Sequence, residues 1–233
     1  MTTTGNAATL RAVRPANRLL DGLMLRMRGP GGYYNIGNVL ALVTGLGLQV
    51  AHGVGAGRSG MEIVSGFFAG SPQAVAFTVA SGIFICSGEV YHRAFRDGTP
   101  DRRLTRIADF LSALGAVAIT VSLVFLGQAV LALVAGTLLV SGKLGSAMFG
   151  DEAIASPLWP ARWPDPFRLL VLFSRVPALI APTLDLLHQL ALGSPPIALI
   201  QPAVLIACLL LWGRADLLLL GFGRRPTAAA LAG

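Results

Sequence analysis

"IADFLSALGAVAITVSLVFLGQAVLALVAGTLLVSG" runs from Ile107 to Gly142 with a single charged residue, Asp109. As one helix it would be about 54 Å long, against a bilayer core of about 30 Å. The chain must therefore fold back within it. "FLGQAV", with Gly127 and Gln128, is the natural corner, and the stretch becomes two spans joined tightly. "GSPP" at 193–196 is a second corner of the same kind, because Gly ends helices and Pro begins them.

Outward from that hairpin the spacing predicts six spanning helices, near 36–55, 73–93, 106–126, 129–148, 174–192 and 196–214. The expected fold is all-α, a polytopic membrane bundle of six helices with both termini on the cytoplasmic side. Its parts are a basic N-terminal segment (1–30), a transmembrane domain (31–222) and a short tail (223–233). The charge pattern carries this threading. Basic residues cluster at Arg11–Arg28, Arg93–Arg106, Lys143–Arg175 and Arg214–Arg225, all on one side of a six-helix chain, and of 18 Lys and Arg only Arg58 falls on the other.

Composition agrees. The 233 residues are 54% hydrophobic and 12% charged, with a mean hydropathy of +0.69. A soluble domain carries about 25% charged residues, and lipid must cover what polar surface here does not. The net charge of +7 is spread over span ends instead of forming a continuous basic face, which argues against nucleic acid as a partner. Residues 1–30 hold five arginines and no signal-type apolar core. Cys86 and Cys208 are far apart and form no CxxC, so neither a disulfide framework nor a redox motif is implied. Tyr33, Tyr34, Tyr91, Trp159, Trp163 and Trp212 fall near span ends on the basic side, where amphipathic rings anchor helices. The proline-rich "SPLWPARWPDP" reads as non-helical. Gly37, Ala41 and Gly45 form a small-residue stripe that suits close helix packing.

Ionisable side chains at membrane depth mark function more than surface charges do. Counting about 1.5 Å per residue from the corners places them in two layers. Glu89, His92, Asp109 and Lys143 form an inner polar network, with Asp109 and Lys143 roughly 23–28 Å from the outer side. Gln49, His52, Asp185 and His188 form an outer layer, with Asp185 about 13 Å and His188 about 9 Å below the outer surface. The outer group is the candidate substrate or ion site, because Asp185 follows Pro182 in a helix that Pro177 and Pro182 are expected to interrupt, as Pro202 is the next.

Glu89-x-x-His92 and Asp185-x-x-His188 each have the spacing of a carboxylate–histidine metal motif, but their depths differ too much to share one ion. Whether either binds a metal alone is open. "GTLLVSGK" resembles a phosphate-binding loop but has one residue too many and lies in a span. No GxSxG, HExxH or nucleotide fingerprint occurs, and no catalytic residues and no cofactor are expected.

Three function classes remain. A small transporter or channel-like component moving an ion or small solute comes first, a structural or assembly subunit of a membrane complex second, and a membrane-embedded metal- or lipid-dependent enzyme third. Expected partners are the lipid bilayer and either a second copy or a membrane-complex partner. The expected location is a bacterial inner (plasma) membrane.

Overall fold

The computed structural model describes residues 29–69, 72–96, 100–125, 129–155 and 163–222. These contain seven helices and no strand: α1 (Pro30–Gly55), α2 (Gly60–Ala69), α3 (Pro72–Ala94), α4 (Arg102–Phe125), α5 (Ala129–Ala155), α6 (Pro166–Ala191) and α7 (Pro196–Phe222). All but α2 are long and apolar enough to cross a bilayer, so this is a multi-pass membrane protein. The expected N-terminal segment, the Gly127–Gln128 corner, most of "SPLWPARWPDP" and the tail from 223 lie outside the described residues.

Local chemistry sets the helix ends. α1 opens with Pro30 behind an extended Gly29, and α6 opens with Pro166 behind Asp165, whose carboxylate accepts from the Phe167 N–H at 2.9 Å. Two helices close in the same way. Gly57 (φ 70°) and Gly193 (φ 62°) take the left-handed conformation. Arg58 N–H then reaches Gly53 O, and Ser194 N–H reaches Gln189 O, the reverse turn that satisfies a helix's last carbonyls. Gly193 thus makes the "GSPP" corner, and Pro196 starts the next helix.

The six long helices form a ring. In order around it they run α1, α3, α4, α5, α6, α7 and back to α1, each packing against its two ring neighbours. The short α2 rests on α1 and α3 at the end where α1 finishes. The outward faces are apolar: Phe110, Val117, Leu133, Phe173, Leu187 and Leu210 are all exposed, as a lipid environment permits.

Small residues let the ring close. The backbone of α3 at His92 passes so near Gly31 that a Cβ there would strike it, and Gly142 meets the Phe167 carbonyl oxygen in the same way at 2.7 Å. The Gly37–Ala41–Gly45 stripe faces inward: Gly37 accommodates Trp212 of α7, and Gly45 accommodates Phe77 of α3.

Three expectations need correction. Pro177, Pro182 and Pro202 do not break their helices: α6 and α7 run through them. Each costs one backbone hydrogen bond, and the helix survives because its neighbours hold it. Tyr34 and Tyr91 are not interfacial anchors, for both are buried within the ring. α6 begins eight residues earlier than expected, and α7 ends eight later, which draws Arg168, Arg175 and Asp216 inside.

The helix α2, absent from the expected spans, is held by a reciprocal cap. The Ser59 N–H and hydroxyl donate to Glu62 Oε2 at 2.7 and 2.8 Å, while the Ser59 hydroxyl accepts from the Glu62 N–H at 3.3 Å. Those two bonds to Glu62, backbone first, hold its carboxyl below its ordinary range. A depressed carboxyl pKa contributes stability above the unfolded-state value and loses it as pH falls through the folded one. Amide protection across residues 60–65, measured relative to the intrinsic exchange rate at each pH, should therefore fall on acidification, and Glu62→Gln should show low protection at every pH. A second measurement tests the ring closure. Gly31→Ala should lower the detergent-solubilised unfolding free energy by about 1–3 kcal/mol through overpacking, whereas Gly47→Ala, beside open space, should be neutral or stabilising.

Candidate functional site

Lys143, on α5, is almost wholly buried at membrane depth. An ammonium in that position requires acceptors and opposite charge. It has both. Nζ donates to Tyr91 Oη at 2.8 Å, to Tyr34 Oη at 3.1 Å and to Asp109 Oδ1 at 3.2 Å. The two tyrosine rings stack at 5.0 Å, and Nζ sits 4.9 Å from each ring centroid. All three of its N–H groups are engaged.

The network extends from there to both sides. Tyr91 Oη donates to Asp109 Oδ1, and Tyr34 Oη donates to Asp216 Oδ1. Asp216 also accepts from Arg175 Nε at 2.8 Å and lies 3.9 Å from Lys143 Nζ. On the other side Arg168 Nη2 is 3.9 Å from Asp109 and its Nε 3.4 Å from Asp165. Ser146 Oγ lies 3.0 Å from Asp165 Oδ2 and 3.3 Å from Asp109 Oδ2. Three cations and three carboxylates thus make a neutral belt. It takes Tyr34 from α1, Tyr91 from α3, Asp109 from α4, Lys143 and Ser146 from α5, Arg168 and Arg175 from α6, and Asp216 from α7. Each ring helix contributes at least one member.

Above the belt the ring encloses a cavity of about 1380 Å³. All six long helices line it. Its floor is formed by Tyr34, Lys143, Arg175, Trp212 and a set of small polar side chains, Asn38, Ser87, Ser112 and Ser174. The middle is largely apolar, with Phe77, Ile119, Leu139 and Leu205 among its walls. Its mouth reaches the exposed Arg58 and Glu62 beside α2. Pro177, Pro182 and Pro202 all line this lumen, and so do Ala178 and Ala198, whose carbonyls lose their helical donors to Pro182 and Pro202.

The expected inner network is divided by the structure. Asp109 and Lys143 form its centre. Glu89 is turned outward and pairs with Arg93 of its own helix at 3.2 Å, a largely exposed pair of little energetic weight. His92 is half-buried and stands outside the belt described above. In the expected outer layer, Gln49, His52 and Asp185 line the lumen's mouth, while His188 is exposed and lies outside that lining. Asp185 accepts from Gln189 Nε2 at 3.3 Å. Among the described residues no three His, Cys, Asp or Glu side chains converge as a metal site would require.

Sequence reasoning missed Tyr34, Tyr91, Asp165, Arg168, Arg175 and Asp216. Their arginines and acids were visible, but as flanking charges at span ends. The Asp165–Pro166 cap was the available signal, since starting α6 there puts Arg175 about 14 Å inside it. No protein-family model, no curated protein and no solved structure matches this chain.

Removing Lys143 alone leaves Asp109 buried with a weaker counter-charge. Lys143→Met should destabilise the detergent-solubilised protein by about 3–5 kcal/mol, and Lys143→Met/Asp109→Asn should recover a large part of that loss. Thermal unfolding of the two variants side by side measures it. Equal losses in both would mean that the pair's charge balance does not hold the belt.

Proposed function

We propose that this protein is a transport component that passes a small solute or ion through the ring, with the lumen as its path and the belt as the barrier at its closed end. One observation carries the reading: a large cavity walled by all six spanning helices opens at the α2 end and stops at a hydrogen-bonded charge network. A purely structural bundle gains nothing from such a void, because empty or wet interior space forfeits packing contacts.

The mouth residues Gln49, His52 and Asp185 supply a first polar contact for an entering solute. Asp109 and Lys143 form the inner barrier, joined by Tyr34, Tyr91, Arg168, Arg175 and Asp216. The three lumen-facing prolines support the same reading, since helices already short of backbone bonds bend at low cost, and the carbonyls freed at Ala178 and Ala198 belong to lumen-lining residues.

Accessibility tests it. In a Cys86→Ser/Cys208→Ser background, Ala178→Cys places one thiol on the lumen wall, a turn above Arg175. A membrane-impermeant maleimide should label it from the face that carries His52 and not from the face that carries Arg96. Equal labelling from both faces would indicate an open channel in place of a gated path. Absence of labelling from either face would sink the transport reading.

A further inference from the structure

Charge is distributed unevenly along the lumen. Its mouth is mixed, with Arg58, Glu62 and Asp185 all lining it. Its floor is not. Of the six charged belt residues, the two that line the cavity are Lys143 and Arg175, both cations. Their partners Asp109 and Asp216 lie behind them, outside the lining, as do Asp165 and Arg168. A ligand reaching the floor therefore meets positive charge first. In a low-dielectric enclosure the nearest charges dominate, because the interaction falls with distance and little water intervenes to screen it. The aspartates make the cations tolerable in an empty lumen without presenting their own charge to it.

The donor inventory points the same way. Arg175 carries five N–H donors, more than its two hydrogen-bond partners Asp216, at 2.8 Å from Nε, and Tyr34 occupy. Its guanidinium carbon lies 5.7 Å from the Trp212 ring centroid, a cation–π contact beside the floor. Above this floor the wall turns apolar for most of its depth. From Arg175 to Asp185, along α6, is about 15 Å. The volume, about 1380 Å³, exceeds the roughly 300–1,000 Å³ of ordinary small-molecule pockets.

We infer that the lumen takes an amphipathic organic anion, its acidic head on Arg175 within the field of the Lys143 charge and its apolar body along the mid-lumen wall. This rests on the reading of the lumen as a solute path, and adds to it the ligand's class. Two sources share that chemistry: a free organic acid from solution, and an anionic membrane lipid.

Tritiated decanoate, bound to the full chain in nanodiscs of zwitterionic lipid, tests the class. Unlabelled decanoate should displace it, while decanol and decyltrimethylammonium, with the same body and a neutral or positive head, should compete about tenfold less well or worse. Equal competition by either would overturn the inference. Arg175→Gln should weaken decanoate about tenfold or more, and Arg175→Lys, which keeps the charge, should weaken it less. Because Arg175→Gln leaves Asp216 with fewer partners, Arg175→Gln/Asp216→Asn provides a charge-balanced second variant, checked for monodispersity by gel filtration. Decanoate affinity unchanged in that double variant would also overturn the inference. Nanodiscs containing phosphatidylglycerol separate the sources: loss of decanoate binding there assigns the site to a lipid anion, and retained binding assigns it to a free acid. Uptake into proteoliposomes is scored apart. Specific binding without uptake would defeat the transport reading and leave the ligand class standing.

Discussion

A lysine ammonium buried in the middle of a helical ring is the constraint from which the rest of this architecture follows. Unpaired, Lys143 would be among the most costly groups a bilayer protein can carry. Its position is tolerable because three carboxylates and three cations balance, and because two tyrosine hydroxyls accept from the ammonium and donate to Asp109 and Asp216. Those partners come from every spanning helix. Electrostatics thus demands what packing alone would leave loose, namely that six helices meet at one level in a fixed circular order. Displacing any one of them breaks a hydrogen bond or an ion pair of the belt.

The belt also explains why the opposite end can remain hollow. With the ring tied at one level, close glycine contacts seal neighbouring helices, as at Gly31 against α3 and Gly142 against α6. Above the belt the helices need not converge on an axis, and the lumen occupies the space between them. The prolines of α6 and α7 sit in that freer half or at its edge, facing inward, where a missing backbone bond is least costly because polar neighbours or water can serve the carbonyl. The strictly bonded belt and the loosely bonded lumen are two parts of one design, a fixed closed end and an adaptable open one.

Much of this was legible in the sequence, and the limits are physical. The 36-residue run from Ile107 to Gly142 could not cross the bilayer once, so a hairpin was forced; Gly193 with Pro196 announced a corner through backbone chemistry alone. Asp109 and Lys143 stood out because charge inside an apolar run has few explanations. Arg175 and Asp216 were obscured by the same rule that oriented the helices. A basic residue near a span end reads as a topological signal, and only the true helix limits, set by the Asp165 cap and by α7 running on to Phe222, reveal that it is inside. Tyr34 and Tyr91 were hidden for a related reason: a tyrosine at a helix end looks the same whether it faces headgroups or a buried ammonium. Glu89 misled in the opposite direction. Its depth matched Asp109, but depth does not fix the side of a helix, and Arg93 one turn away offered a simpler partner. The helix α2 had a readable signature in Ser59-x-x-Glu62, masked by the shortness of the segment that follows it, too brief to span a bilayer.

The geometry at Lys143 bears on how such a barrier opens. Its ammonium lies 3.2 Å from Asp109 and 3.9 Å from Asp216, so it stands between two acids that each have an arginine of their own, Arg168 and Arg175. Moving α5 toward either side lengthens one contact and shortens the other. Each acid left behind keeps a cation, so the shift does not create an isolated buried charge. In the proposed transport cycle this is the property a gate requires. A barrier made of one ion pair would have to separate charges in a low dielectric at a cost of several kcal/mol. A barrier in which one lysine is shared between two compensated carboxylates trades partners instead. On the inference drawn above, an anionic ligand at Arg175 would compete for the cation that Asp216 depends on, and would so favour the arrangement in which Lys143 moves toward Asp216 and away from Asp109. Ligand binding at the floor and loosening of the belt would then be the same electrostatic event, seen from the lumen and from the closed end.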